Sequence, residues 1–431
     1  MEKDKSRAWL VCMLLAALCA CSTTREPASV PHWVGTWGTA VVARSSNAQT
    51  LQQPPATSTV PAASTARPGP NAPALSFDNQ TLRQIVHVSI GGDEVRVVLS
   101  NAFGSAPLNI GAAHVSLREA EARVSAQSDR TLLFGGSPSV TIPPGAVLFS
   151  DPVDLSVPAF ADLVIDAYLP GRSESAPMVM TTHGGALQTN YVSNIGNYAG
   201  ASEFPVKETF SSWYFLARVE IVAPTSTAAV VAFGDSITDG TRSTPNKNHR
   251  WPDFLALRLA DAKISMGMLN EGIAGNRVLG DGAGVSALAR FDRDALLQTG
   301  VTHIIVLESI NDIGLARSGP TPSASDLILA HKQLIARAHA RGLKIFGATL
   351  TPFMGAGYAT VAGEAKRQAI NEWIRASKEY DGVVDFDKAV RDPADPAKLR
   401  AEFNPGDNLH MNDAGYEAMA NAVDLKLFAG H

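Results

Sequence analysis

Near residue 228 the hydrophobic pattern of the chain changes period, and nothing else in the sequence constrains the fold as strongly. Downstream of it, apolar runs at residues 229–233, 264–269, 303–308, 344–349 and 382–386 alternate with amphipathic stretches at 249–261, 286–297, 324–341, 362–379 and 413–428. A strand that is apolar throughout must be covered on both faces, and the intervening helices can supply that cover. The pattern therefore predicts a parallel sheet between two helical layers. In such sheets ligands collect beyond the carboxyl ends of the strands. The first apolar run leads straight into Gly-Asp-Ser at residues 234–236, which puts Ser236 at such an end.

Upstream, from about residue 80 to 222, short β-type runs such as "RQIVHVSI", "EVRVVLS" and "ADLVIDAYLP" are separated by turn signals. This spacing predicts a β-sandwich over residues 32–223, ahead of an α/β domain over 227–431. Residues 45–75 are rich in Ser, Thr, Ala, Pro, Gln and Asn, lack apolar periodicity, and read as a long mobile loop. With 431 residues, the chain is long enough for two cores.

The first 21 residues read as an export signal: Lys3, Lys5 and Arg7 precede an apolar run too short to span a bilayer. Its end, "LCAC" at Leu18–Cys21, resembles a bacterial lipoprotein signal, in which the last cysteine becomes lipidated. Residues 22–31 would then be a short tether. Ordinary cleavage near Ala20, with Cys21 incidental, is the alternative. All three cysteines, Cys12, Cys19 and Cys21, lie in this segment, so the exported remainder is expected to have no internal disulfide and to sit in the cell envelope, periplasm or extracellular space. The net charge of -5 comes without any Lys/Arg block able to neutralise a phosphate backbone, which argues against nucleic acid as a partner.

Three more stretches share the strand-end address of Ser236: "NEGIAGNRV" at Asn270–Val278, "ESINDIG" at Glu308–Gly314 and "GDNLHMNDAGY" at Gly406–Tyr416. Singly, each has a plain structural explanation: Ser236 as a helix cap, Asn311 as a turn residue, His410 as a surface histidine, "NDAG" as a capping turn. Jointly they supply what acyl transfer requires. Ser236 is the candidate nucleophile, His410 the base and Asp407 its orienter. The backbone N–H groups of Ser236 and Gly275 and the side-chain amide of Asn311 are candidate oxyanion donors. Asp235 and Asp239 read as residues that hold the serine loop rather than act in the chemistry. Thr238 stands where the second glycine of a G-x-S-x-G elbow would be, which disfavours the α/β-hydrolase fold.

Together, "GDSITDG", Gly275 of "GIAGN", Asn311 of "SIND" and His410 of "DNLH" resemble the four blocks of the SGNH hydrolase superfamily, also called the GDSL esterase/lipase family. The resemblance implies a three-layer, flavodoxin-like α/β/α domain and a carboxylic-ester hydrolase working through an acyl-serine at Ser236, with no cofactor and no metal. One position departs from the pattern: Ser309 occupies the place of a usual glycine. The N-terminal region is similar to the β-rich, jelly-roll-like domain that precedes the catalytic domain in some secreted bacterial members, a resemblance that implies acylated glycans as substrates. A lipid or lysophospholipid esterase and an envelope-glycan O-acyltransferase are alternatives, and a purely glycan-binding protein is disfavoured by the complete residue set.

Overall fold

The structure is a computed structural model that describes residues 30–45, 76–171, 179–315 and 321–429. The expected export signal, Cys21, most of the tether and loop residues 46–75 lie outside the described residues. Trp33–His431 make one compact unit.

Within it, five parallel strands lie side by side in the spatial order Met266–Gly272, Ala228–Gly234, Val301–Leu307, Lys344–Ala348 and Gly382–Val384. All seven residues of Ala228–Gly234 are buried, as a strand covered on both faces must be. Side chains alternate across a strand, so each face feeds its own cluster. Val230, Ala232 and Ile305 pack with Leu255, Leu259, Tyr416 and Met419, whereas Val231, Phe233, Ile304 and Val306 pack with Leu327, Leu334 and Ile370. The strand order reverses beside Ala228–Gly234, and at such a switch point the flanking connections diverge and leave a crevice. Ser236 emerges there.

The main helices are Trp251–Asp261, Ala324–His339, Val361–Ala376 and Asp413–Asn421. Two expected helices differ from the pattern. The one read over 413–428 stops at Asn421, because Asp424 caps a separate turn, Leu425–Phe428, by accepting the Lys426 N–H. The one read over 286–297 consists of Ala287–Phe291 followed by a wider, π-type turn, Asp292–Leu296.

In the β-rich half, Trp33–Gly38, Leu216–Val222, Gly92–Ser100 and Val147–Phe149 form one antiparallel sheet. Val206–Phe210, Asn190–Ile195, Gln80–His87, Asp162–Leu169 and Ala112–Ala120 form the core of another. Val95, Val97 and Leu99 of the first share a cluster with Leu82, Val86, Leu163 and Ile165 of the second, which is sandwich packing. Ser212–Tyr214, Val179–Gly184 and Val42–Ser45 make a third, small sheet.

The two halves meet at the edge of the parallel sheet. Met266–Gly272 is the edge strand, and Trp33–Gly38 lies against it. The approach is so close that a Cβ on Gly267 would fall 2.0 Å from the Gly35 carbonyl oxygen. Met268 N–H donates to Ser89 Oγ at 2.8 Å, and Thr39 forms a parallel bridge with Asn270. The β-rich half thus covers an edge that would otherwise expose unpaired backbone groups, and it braces the strand that leads to Gly275.

Candidate active site

Ser236 opens a four-residue helix, Ser236–Asp239, set directly on the strand ends. Two glycines make room for it. A Cβ on Gly234 would lie 2.2 Å from Thr238 Oγ1, and one on Gly272, its register partner, 2.3 Å from Asp239 N. Asp235 caps the helix, its Oδ1 accepting the Ile237 N–H at 2.9 Å, as expected for a residue that holds the loop. Gly240 ends the helix at φ 94°, a left-handed conformation that suits glycine.

The histidine arrives from the other end of the sequence. His410 Nε2 lies 2.8 Å from Ser236 Oγ, and its Nδ1 lies 3.0 Å from Asp407 Oδ2. The other carboxylate oxygen, Oδ1, accepts the backbone N–H groups of Leu409 and His410. Burial pushes the Asp407 carboxyl up, but the His410 side chain and these backbone donors outweigh it and hold the group well below the usual carboxylate range. Asn408 takes the left-handed φ of 58° in this turn, and Asn404 Oδ1 accepts the N–H groups of Gly406 and Asn408. Asn412 caps the last helix by accepting the Gly415 N–H at 3.0 Å, the capping turn read from "NDAG". Its neighbour Asp413 accepts from Thr244 N–H and contacts His249 Nδ1, tying the segment after the serine helix to the histidine turn.

Gly275, at φ 81°, sits in a loop stitched to both neighbouring blocks. Asp239 Oδ2 accepts the Ala274 N–H at 3.2 Å, and Asp312 accepts the N–H groups of Val278 and Leu279 at 2.8 and 3.0 Å. Asn311 is buried on the short helix Ile310–Gly314, and its Nδ2 donates to the Asn276 carbonyl at 2.9 Å. The structure therefore joins the Gly275 loop to the serine helix on one side and to Asn311 on the other. One N–H of the Asn311 amide is already committed, which leaves a single hydrogen for an incoming oxyanion.

Ser309 adopts φ 100°, where glycine is favoured, which accounts for glycine being usual at this place. Its hydroxyl points into the helical layer, 2.9 Å from His331 Nε2, and His331 Nδ1 lies 2.6 Å from the Tyr380 hydroxyl. His331 is fully buried, and burial pushes its pKa down to about 4, so the ring is neutral at pH 7 and can serve one partner as donor and the other as acceptor.

Two residues that no sequence motif marks shape the site. Tyr358 donates its hydroxyl toward Asn311 Oδ1 at 3.4 Å, which turns the Asn311 amide so that its Nδ2 faces the Gly275 loop. Its ring packs so tightly on Gly314 that a Cβ there would fall 2.0 Å from Tyr358 Cδ2. Arg290, fully buried, donates to the carbonyls of Gly234 and Glu271 and to Asn276 Oδ1, each at 2.8 Å. On an amphipathic helix an arginine reads as a solvent-facing residue, so the pattern gives it no signal. Around it, burial pushes the Asp235 carboxyl up to about 7 and raises those of Glu308 and Glu271 well above their ordinary range. Among the described residues no group of three or more His, Cys, Asp or Glu side chains is arranged to hold a metal ion.

Residues 232–418 match the family model described as the GDSL-like lipase/acylhydrolase family. Similar solved structures include a GDSL-like lipase from Bacteroides thetaiotaomicron, at 19% identity over 46% of this chain and 87% of that chain with a TM-score of 0.37. A carbohydrate acetylesterase family member from Sinorhizobium meliloti is similar at 17% identity over 48% of this chain and 100% of that chain, also with a TM-score of 0.37. No curated protein matches the chain.

The geometry at Ser309 yields an expected outcome for Ser309→Gly. Glycine relieves the positive φ, whereas loss of the hydroxyl leaves His331 without a partner on one nitrogen. Effects of about 1–3 kcal/mol with opposite signs then nearly cancel. Urea unfolding should change by about 1 kcal/mol or less, and kcat should stay near wild type because the hydroxyl points away from Ser236. A large fall in kcat at unchanged stability would place the Ser309 hydroxyl in the substrate path instead.

Proposed function

We propose that residues 232–418, which belong to the GDSL-like lipase/acylhydrolase family and make this chain a serine ester hydrolase of the SGNH superfamily, remove short acyl groups from glycans through an acyl-serine intermediate. The observation that carries the proposal is the hydrogen-bonded line from Ser236 Oγ through His410 to Asp407, with contacts of 2.8 and 3.0 Å. Ser236 Oγ attacks the ester carbonyl carbon while its proton passes to His410 Nε2. Asp407 accepts a hydrogen bond from the His410 Nδ1–H and stabilises the imidazolium that forms. The developing oxyanion takes hydrogen bonds from the N–H groups of Ser236 and Gly275 and from the free N–H of Asn311. The tetrahedral adduct then expels the alcohol, which takes its proton from His410. Water, deprotonated by His410, attacks the acyl-serine, and the carboxylic acid leaves with Ser236 Oγ reprotonated.

The rim of the site supports a hydroxyl-rich alcohol half. Arg242, whose Nε is 3.0 Å from Asp407 Oδ2, is more than half exposed, and Asn408, next to Asp407 in the chain, adds a polar amide whose Nδ2 donates to the Gly355 carbonyl. Export with a lipid at Cys21 completes the proposal: it rests on "LCAC" and would hold the enzyme at an envelope surface.

Ser236→Ala should fold as wild type and lose essentially all esterase activity, and a fluorophosphonate probe should add once to the wild-type protein, at Ser236. Labelling elsewhere, with activity kept in the variant, would refute the nucleophile. Across p-nitrophenyl esters from acetate to palmitate, acetate should be preferred, with acetate released from acetylated xylan. Release of fatty acid from lysophospholipid without deacetylation would replace the glycan with a lipid substrate, and acyl transfer to an added glycan in preference to water would make the enzyme a transferase.

Asn311→Ala should lower kcat by on the order of a hundred- to a thousandfold, about 3–4 kcal/mol, with KM little changed, because the donor acts on the tetrahedral state more than on the planar ester. Since Asn311 also serves the buried Asn276 carbonyl, the unfolding midpoint should fall as well. A normal kcat per folded molecule would leave Asn311 with only the structural task.

Mass spectrometry of the native N-terminus checks the tether. A diacylglyceryl-modified Cys21 is expected, and a mature terminus that lacks Cys21 overturns it.

A further inference from the structure

The strand Val179–Gly184 belongs to the β-rich half, yet its His183 is buried against the serine helix. Its Nε2 lies 3.0 Å from Asp239 Oδ1 and its Nδ1 2.8 Å from the Ala40 carbonyl oxygen. The carbonyl has no hydrogen to give, so Nδ1–H donates to it, and the contact with the carboxylate needs a second proton between Nε2 and Oδ1. The ring also packs on Trp213, with centroids 5.6 Å apart, so its orientation is fixed from the side as well.

Asp239 is the last residue of the helix that begins at Ser236, and its own N–H is bonded to the Asp235 carbonyl at 2.9 Å. Its second carboxylate oxygen accepts the N–H of Ala274, the residue immediately before Gly275. One carboxylate therefore spans the two backbone segments whose N–H groups would receive the oxyanion. It is held from behind by a side chain that the catalytic half does not contain.

We propose that His183 is a positioning residue for ester hydrolysis: by fixing the Asp239 carboxylate it sets the Gly275 loop against the serine helix, so that the β-rich half completes the oxyanion site. The proposal rests on the ester-hydrolase reading of Ser236. A substrate bound in its planar ground state makes little use of that alignment, whereas the tetrahedral state depends on it, so the effect belongs in kcat and not in KM.

Two amide substitutions in the full chain separate the two contacts of the ring. In His183→Gln the amide nitrogen reaches the place of Nε2 and keeps a donor toward Asp239 while giving up the Ala40 contact. In His183→Asn it reaches the place of Nδ1 and does the reverse. His183→Gln should hold kcat within about threefold of wild type, whereas His183→Asn should lower it about ten- to a hundredfold, the range found when a group supporting a functional side chain is lost. KM should stay constant, and the unfolding midpoints of both variants should fall together. In the double variant His183→Asn/Asp239→Asn, kcat should drop no further than in the worse single variant. Rates of fluorophosphonate labelling at Ser236, scaled to the folded fraction, give the same comparison if either variant is unstable. Equal kcat and labelling rates in the two amide variants, with changes in midpoint alone, would make His183 a structural strut and overturn the proposal. If wild-type hydrolysis and labelling do not depend on Ser236, the ester-hydrolase reading fails instead, and the Ser236→Ala control tells the two failures apart.

Discussion

The buried guanidinium of Arg290 is the interaction on which the catalytic end of the parallel sheet depends. Taking such a cation out of water costs several kcal/mol unless its donors are met. They are met by the carbonyls of Gly234 and Glu271, at the ends of two neighbouring strands, by Asn276 next to Gly275, and by the face of Phe233 at 4.0 Å. The carboxylates of Asp294 and Glu308 lie 3.3 and 3.4 Å away. The Gly234 carbonyl also accepts the Ile273 N–H at 3.0 Å, and Arg290 fills its remaining lone pair while bonding the Glu271 carbonyl of the neighbouring strand, which ties the two strand ends together. Because Gly234 leads into the serine helix and Asn276 follows Gly275, the same side chain sets the spacing of Ser236 and the Gly275 loop. One cation cannot offset every acid around it, and this is why the Asp235, Glu271 and Glu308 carboxyls are raised by burial.

Much of the catalytic half was legible because parallel strands covered on both faces leave continuous apolar runs. Each of the five runs read after residue 228 corresponds to a strand of the sheet. The β-rich half was harder to read. Val179–Gly184 reads VMTTHG and Val206–Phe210 reads VKETF: one buries polar side chains in hydrogen bonds, and the other lies mostly exposed at a sheet edge. Neither produces the alternation that marks a half-buried strand. Arg83 and Asp166, on neighbouring strands, are paired at 2.6 Å inside this half, so even its buried positions do not all look apolar.

At the site, what could be read was the set of short blocks, each legible within a few residues: the serine turn with its cap, Gly275, Asn311, and Asp407 three positions before His410. Arg290, Tyr358 and His183 carry no local mark. Each acts because the tertiary fold brings a distant segment to the strand ends, and an arginine, a tyrosine or a histidine in an unremarkable stretch has many ordinary explanations. Ser309 is an intermediate case. Its departure from the glycine pattern was visible, but the fate of its hydroxyl depended on His331, which sits on a helix that the sequence could not orient.

The covered edge of Met266–Gly272 bears on how the chain is made. A parallel sheet is assembled from segments far apart in sequence and is slow to close, and until it closes its bare edge is a template for pairing with other molecules. Here the cover comes from Trp33–Gly38, Thr39 and Ser89, all of which leave the ribosome before the first parallel strand does. The β-rich half therefore precedes in sequence the edge that it covers, and a catalytic half cut free near Pro224 would leave that edge open to pairing with its own copies.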